Sequence, residues 1–194
     1  MKTMLDIMHE EKLFLDEGSK KGTDKLTKHP YSRDYERIFE KYHDKEISLL
    51  EIGAYYGAST IMWDKYFSKG EITVVDINQR TALENIKDRV DENRTRILIA
   101  DAYDLDFVKD LPRYDIINDD GPHDLESMTK CVKLYYPKLN NGGVMLIEDI
   151  PDSAWFDVLL DIAKKFGGNL IYECLDYSRD GGTTDSRVLV LYKD

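Results

Sequence analysis

Two short stretches hold ionisable side chains whose types and spacing could do chemistry. Asp119-Asp120-Gly121-Pro122-His123 follows one apolar run, and Glu148-Asp149 follows another. Carboxylates brought to one point repel one another unless they are protonated or bridged by a cation. Asp120, Glu148 and Asp149 are therefore candidate ligands for a hard divalent cation such as Mg²⁺, which takes oxygen donors and keeps several waters. His123 lies on the same loop as Asp120. Its ordinary pKa of about 6.5 suits an imidazole to act as general base beside a metal-held hydroxyl. Asp119 should point the other way on an extended strand and is a second-choice ligand.

A second constellation lies upstream. The segment LLEIGAYYGAST, residues 49–60, runs from an apolar stretch through Gly53 and Gly57 into a helical pattern, and Asp76 follows 19 residues after Gly57. A glycine turn with an acid about 20 residues on is nucleotide-binding geometry, the acid accepting hydrogen bonds from ribose hydroxyls. The three small positions of the dinucleotide fingerprint fall on Gly53, Tyr55 and Ala58, and a tyrosine in the middle obstructs approach to a pyrophosphate. No GxxxxGK[ST] phosphate loop is present. S-adenosylmethionine (SAM) has the ribose without the phosphate and fits this pattern. Gly53, Tyr55, Gly57, Ser59 and Asp76 are the candidate contacts, with Asp101 and Ala102 at the next strand end. Asp101 either faces an adenine amino group or caps the short helix after it. The alternative for the whole segment is a plain strand–helix turn whose glycines serve packing.

The elements that position these residues are legible as a pattern. Short, nearly continuous apolar runs at 48–52, 72–77, 96–100, 114–118, 144–148, 170–174 and 187–191 read as strands buried on both faces. Helical periodicity at 59–67, 80–93, 124–139 and 153–166 separates them. Such alternation predicts a doubly wound, Rossmann-like α/β fold with a mostly parallel seven-stranded sheet. The last two strands have turn residues but no helix between them and should form an antiparallel hairpin. Helices at 5–16 and 33–43 should cap the sheet, so that 1–45 is a helical cap and 46–194 the core of a single domain. In a sheet of this kind ligands bind beyond the carboxyl ends of the strands, and the fourth and fifth strands are expected to be neighbours.

The 194 residues suit one domain, and a 42% hydrophobic share is too rich for a disordered chain. With 27 Lys+Arg against 38 Asp+Glu, a net charge of −11 excludes a non-specific nucleic-acid binder or polybasic membrane ligand. Two cysteines, Cys131 and Cys174, make neither a disulfide framework nor a metal motif. No apolar run reaches the roughly 18 residues of a membrane span, and a cytoplasmic protein is expected.

The chain resembles class I SAM-dependent methyltransferases, and within them the Mg²⁺-dependent sugar O-methyltransferases of macrolide biosynthesis. The likeness rests on Gly22-Thr23-Asp24-Lys25 with His29, Tyr31 and Tyr35, on the glycine turn, on Val75-Asp76-Ile77, and on the pairing of DDGPH with IEDI. It implies a metal held at Asp120, Glu148 and Asp149, with His123 as proton acceptor. It also implies SAM over Gly53, Asp76 and Asp101, an acid at Glu51, and the His29/Tyr31 loop closing over the cofactor. The chain departs from the family at Pro122, where serine is usual, and at Ala102, where glutamine is frequent.

The expected reaction is metal-assisted O-methylation of a sugar or sugar-containing small molecule, with a homo-oligomer allowed. A catechol-like vicinal diol is the alternative acceptor. A SAM-binding module without catalysis is the alternative class, disfavoured by the clustered carboxylates.

Overall fold

The computed structural model describes residues 2–15, 22–78 and 86–194. Seven strands form one sheet: β1 (Ser48–Ile52), β2 (Glu71–Asp76), β3 (Thr95–Ile99), β4 (Tyr114–Asp119), β5 (Leu139–Ile147), β6 (Ile171–Asp176) and β7 (Arg187–Tyr192). Their order is β3-β2-β1-β4-β5-β7-β6, parallel from β3 to β5, with β7 antiparallel to both of its neighbours. The seven-stranded mixed sheet and its antiparallel ending are those expected from the apolar runs. The chain builds outward from β1 to β3 and returns to β4 on the other side of β1. The crevice between β1 and β4 is therefore the switch point where doubly wound sheets bind ligands.

The central strands are apolar on both faces because both are covered. Helices α1 (Met4–Glu11), α2 (Ser32–Phe39) and α3 (Ala58–Tyr66) precede β2 in the chain. Met4, Tyr35, Phe39 and Trp63 from these helices share one core with Leu49 and Val74 of the sheet. After a short α4 (Leu105–Val108), α5 (Leu125–Tyr135) and α6 (Trp155–Ala163) bury Met128, Val132 and Leu159 against Leu50, Ile117 and Met145 in the other core. Asp124 caps α5 by accepting a hydrogen bond from Ser127 N at 2.8 Å.

Several boundaries differ from the expected ones. The first helix stops at Glu11, where Lys12 turns left-handed (φ 55°), and Phe14 then bridges to Thr23. The third long helix ends at Tyr135 and tightens into a 3-10 turn containing Pro137, which has no N–H to continue the ladder. Strand β5 starts five residues early because its Asn-Asn-Gly-Gly run is paired instead of turning: Asn140 donates to Asp115 at 2.8 Å and Gly142 N to Lys193 O at 2.7 Å. Of the helix expected at 80–93, residues 80–85 lie outside the described residues, and 87–93 are turns and irregular backbone instead of helix, with Arg89 N donating to Ile86 O. No helix among the described residues is long and apolar enough to cross a membrane.

Candidate active site

The glycine turn after β1 and the loop after β4 are built against each other. Gly53 N donates to Val75 O and Asp120 N to Ile52 O, each at 2.9 Å, which holds both loops to the sheet end. Gly53 has φ 89°, and a Cβ there would lie 2.1 Å from the Asp120 carbonyl oxygen. Only glycine gives both the left-handed backbone and that close approach. Gly57, also left-handed, is the N-cap of α3 and has no side chain to accept from the first-turn N–H groups of that helix.

Beside this turn lies a cavity of about 540 Å³ whose wall includes Gly53, Tyr55, Asp76, Asp101, Ala102 and Asp120. Asp76 Oδ2 accepts from Ala54 N at 2.8 Å and Tyr55 N at 3.2 Å, so the acid at the end of β2 shapes the turn as well as facing the cavity. Asp101 accepts from Tyr103 N at 2.8 Å. Helix α4 is capped by Asp104, whose side chain accepts from Asp106 N, which leaves Asp101 on the cavity wall. A second cavity of about 540 Å³ includes Ser59, Asp24, His123 and Asp149, and shares Tyr55, Asp120 and Gly121 with the first. Glu51 lines neither. It is fully buried, with its two oxygens accepting from Thr60 Oγ1 at 3.0 Å and Trp63 Nε1 at 2.9 Å.

The carboxylates converge because β4 and β5 pair in register, Asp119 opposite Ile147. Asp120, His123 and Asp149 each offer a donor atom, all within 4.8 Å of one another. His123 Nε2 lies 3.0 Å from Asp120 Oδ1 and 3.9 Å from Asp149 Oδ2. Both His123 (φ 56°) and Asp149 (φ 54°) are non-glycine residues held left-handed, a cost that surrounding contacts must offset and that concentrates at functional sites. Glu148 is deeper and wholly buried, its Oε1 accepting from Tyr35 OH and its Oε2 from Lys25 Nζ. Asp119 points away, accepting from Tyr103 OH at 2.7 Å.

Charge and burial divide these groups. Burial pushes Glu148 up to about 8, with the charges of Asp120 and Asp149 adding to it against Lys25. Burial likewise raises Asp149. Burial would also raise Asp120, but the ammonium of Lys25 and the hydrogen bond from His123 outweigh it and hold this carboxyl below its ordinary range. For His123 burial works downward, and is overcome by the hydrogen bond and charge of Asp120, which lift the imidazole to about 9. Burial lifts Asp119 to about 6.

Residues 50–150 match the family described as "Methyltransferase domain". The chain belongs to that methyltransferase family. Among curated relatives, an 8-demethyl-8-alpha-L-rhamnosyl tetracenomycin-C 2'-O-methyltransferase of Streptomyces olivaceus is 32% identical over 145 residues, covering 69% of this chain and 36% of the relative. A mycinamicin VI 2''-O-methyltransferase of Micromonospora griseorubida is 30% identical over 138 residues, covering 66% of this chain and 33% of the relative. The chain thus spans about a third of the length of the curated relatives it matches. The MycE methyltransferase of the mycinamycin pathway, solved with Mg and SAH, superposes with a TM-score of 0.63 at 23% identity, over 84% of this chain and 49% of that one. A methyltransferase from Pyrococcus furiosus gives a TM-score of 0.62 at 17% identity, over 84% and 82%. These structural likenesses support the Rossmann-like fold.

Within this methyltransferase domain, the segment before α2 lies against the carboxylates and lines up on Asp149 rather than on the first cavity. Tyr31 OH donates to Asp149 Oδ1 at 2.5 Å, and His29 Nδ1 lies 3.3 Å from the same oxygen and 2.9 Å from Ser186 Oγ. Lys25 and Tyr35 were visible in the sequence motif but carried no assigned role there. A lysine in a polar loop ordinarily reads as a solvated side chain. Here it is 2% exposed and reaches both Asp120 and Glu148. The motif spacing that places Lys25, His29 and Tyr31 on one strap and Tyr35 on the helix after it was the available signal.

Proposed function

We propose that this domain transfers the methyl group of SAM to a hydroxyl of a sugar or sugar-bearing small molecule, assisted by a divalent cation. The observation that carries the reading is the pair of cavities meeting at Asp120. One is bordered by Asp76 and Asp101 and suits a nucleoside; the other is bordered by His123 and Asp149 and suits a hydroxylated acceptor. Ile77, next to Asp76, is 70% exposed on the first cavity wall and offers an apolar face to a purine ring. The oxygen donors of Asp120 and Asp149 beside an imidazole fit a hard cation, with Glu148 next to them as the third carboxylate.

In this reading Asp76 accepts from the ribose hydroxyls, and the tight Gly53–Asp120 contact sets the distance between the cofactor and the acceptor. Asp120, Glu148 and Asp149 would hold the cation, which would acidify and orient the acceptor hydroxyl. His123 Nε2 takes the hydroxyl proton, and it can do so only as neutral imidazole. Asp120 and Asp149 raise its proton affinity, and a cation on those carboxylates would lower it. The relatives named for 2'- and 2''-O-methylation support a sugar hydroxyl as acceptor.

The test is transfer of labelled methyl from SAM to a panel of glycosylated small molecules, free sugars and catechols, with EDTA or added Mg²⁺. Transfer to a sugar hydroxyl, abolished by EDTA and restored by Mg²⁺, is expected. Calorimetry showing no binding of S-adenosylhomocysteine would overturn the reading at its first step.

A further inference from the structure

The strap at residues 23–31 delivers a cation of its own to the carboxylates. Lys25 Nζ lies 2.5 Å from Asp120 Oδ2 and contacts Glu148 Oε2 as well. Its backbone is tied down on both sides: Lys25 N donates to Thr23 Oγ1 at 3.4 Å, His29 N to Asp24 O at 3.1 Å and Tyr31 N to Lys25 O at 3.4 Å. The same strap places Tyr31 and His29 on Asp149. One short segment therefore engages all three carboxylates proposed for the metal.

That engagement conflicts with a bound metal. Glu148 has one oxygen on Tyr35 and the other on Lys25. An ammonium has donors and no lone pair, so it cannot become a ligand. It cannot stay in contact with those oxygens while a divalent cation takes them either, because two cations in a buried site repel strongly. Room for a displaced side chain exists in the adjacent cavity, whose wall includes Thr23, Asp24 and Lys28.

We infer that Lys25 is the resident counter-ion of these carboxylates, and that a divalent cation binds by displacing it and releasing the strap. The inference rests on the metal reading above. It gives the strap a place in the reaction cycle, since the contacts of Lys25 and Tyr31 with the carboxylates must open when a metal binds.

Mn²⁺ binding to the full chain, followed by loss of the free-ion paramagnetic resonance signal, tests the exchange. Lys25→Met removes the competitor and should bind Mn²⁺ about tenfold more tightly than wild type, within the usual range of coupling between two sites. A purely structural lysine would give the opposite result, because its loss would loosen the site. Equal or weaker binding by the folded variant overturns the inference. In the wild-type protein, hydrogen exchange at residues 23–31 should speed up when Mn²⁺ is added, and unchanged or slower exchange overturns it even where the variant fails to fold. No Mn²⁺ binding by either protein overturns the metal reading together with this one. Wild-type binding with unaltered affinity in the variant overturns this one alone.

Discussion

His123 Nε2 donates to Asp120 Oδ1 across 3.0 Å, and this contact sets how the metal-free protein answers to pH. The folded imidazole titrates near 9, above its unfolded value of about 6.5. A group whose folded pKa is raised binds its proton more tightly in the native state. Its stabilising contribution is complete below about 6.5 and is lost as pH rises through 9. Glu148, lifted to about 8 by burial, has the same sign over a lower window, from its ordinary value of about 4.3 upward. Denaturant titrations of metal-free protein should therefore show stability falling from neutral pH toward 9. Saturating Mg²⁺ should flatten that fall, and so should Asp120→Asn. A rise in stability over the same window would contradict the arrangement.

Removing the proposed base should separate chemistry from binding. General-base catalysis contributes roughly 10²–10⁴-fold in rate. His123→Ala is expected to lower transfer by about that factor, with calorimetric affinity for S-adenosylhomocysteine unchanged, because His123 does not border the cavity of Asp76. Unchanged turnover in that variant would remove His123 from the mechanism.

The parts of this site that the sequence disclosed are those attached to strand ends. Asp76, Asp120, Glu148 and Asp149 each follow an apolar run, and a doubly wound order puts such ends on one edge whatever the details of packing. The residues that escaped assignment reach the edge from elsewhere. Lys25 and Tyr35 come from the strap and α2, and their burial depends on how the N-terminal segment docks on the sheet, a long-range contact that no local periodicity encodes. Glu51 shows the converse. Its position before the glycine turn suggested a cofactor contact, yet α3 supplies Thr60 and Trp63 to both of its oxygens. The Asn-Asn-Gly-Gly start of β5 escaped for the same reason, since Asp115 and Lys193, distant in sequence, supply its partners.

Asp76 should be needed for cofactor affinity more than for the fold. Asp76→Asn keeps an oxygen for Ala54 N and Tyr55 N, but it sets an amide NH₂ against Asn78 N, which donates to Oδ1 at 2.6 Å, and gives up the charge that a ribose hydroxyl would meet. A hydrogen bond to a charged group contributes about 1.5–3 kcal/mol. Affinity for S-adenosylhomocysteine is therefore expected to drop by about tenfold to a hundredfold, measured by calorimetry, alongside a loss of about 1 kcal/mol of stability from the Asn78 contact. A large loss of stability without loss of affinity would make Asp76 a turn residue only.

Gly53→Ala should damage the glycine turn and the carboxylate loop together. The new methyl would sit 2.1 Å from the Asp120 carbonyl oxygen and 2.9 Å from its carbon, on a backbone already at φ 89°. Nothing flexible stands in the way: the obstructing atoms are backbone, held by Asp120 N donating to Ile52 O. Gly167, at φ 80° with nothing within 4 Å of the position a methyl group would take, separates the two costs. Gly167→Ala should lose only the conformational part, about 1–3 kcal/mol, whereas Gly53→Ala adds an overpacking cost of about 1–3 kcal/mol. The second variant should also bind Mn²⁺ more weakly, because relief of the clash must move Asp120. Denaturant unfolding of both variants, with Mn²⁺ titration of the second, checks the coupling. Equal stability losses at the two glycines would mean that the loops move independently, and that the short distance between the glycine turn and the carboxylate loop is not built into the backbone.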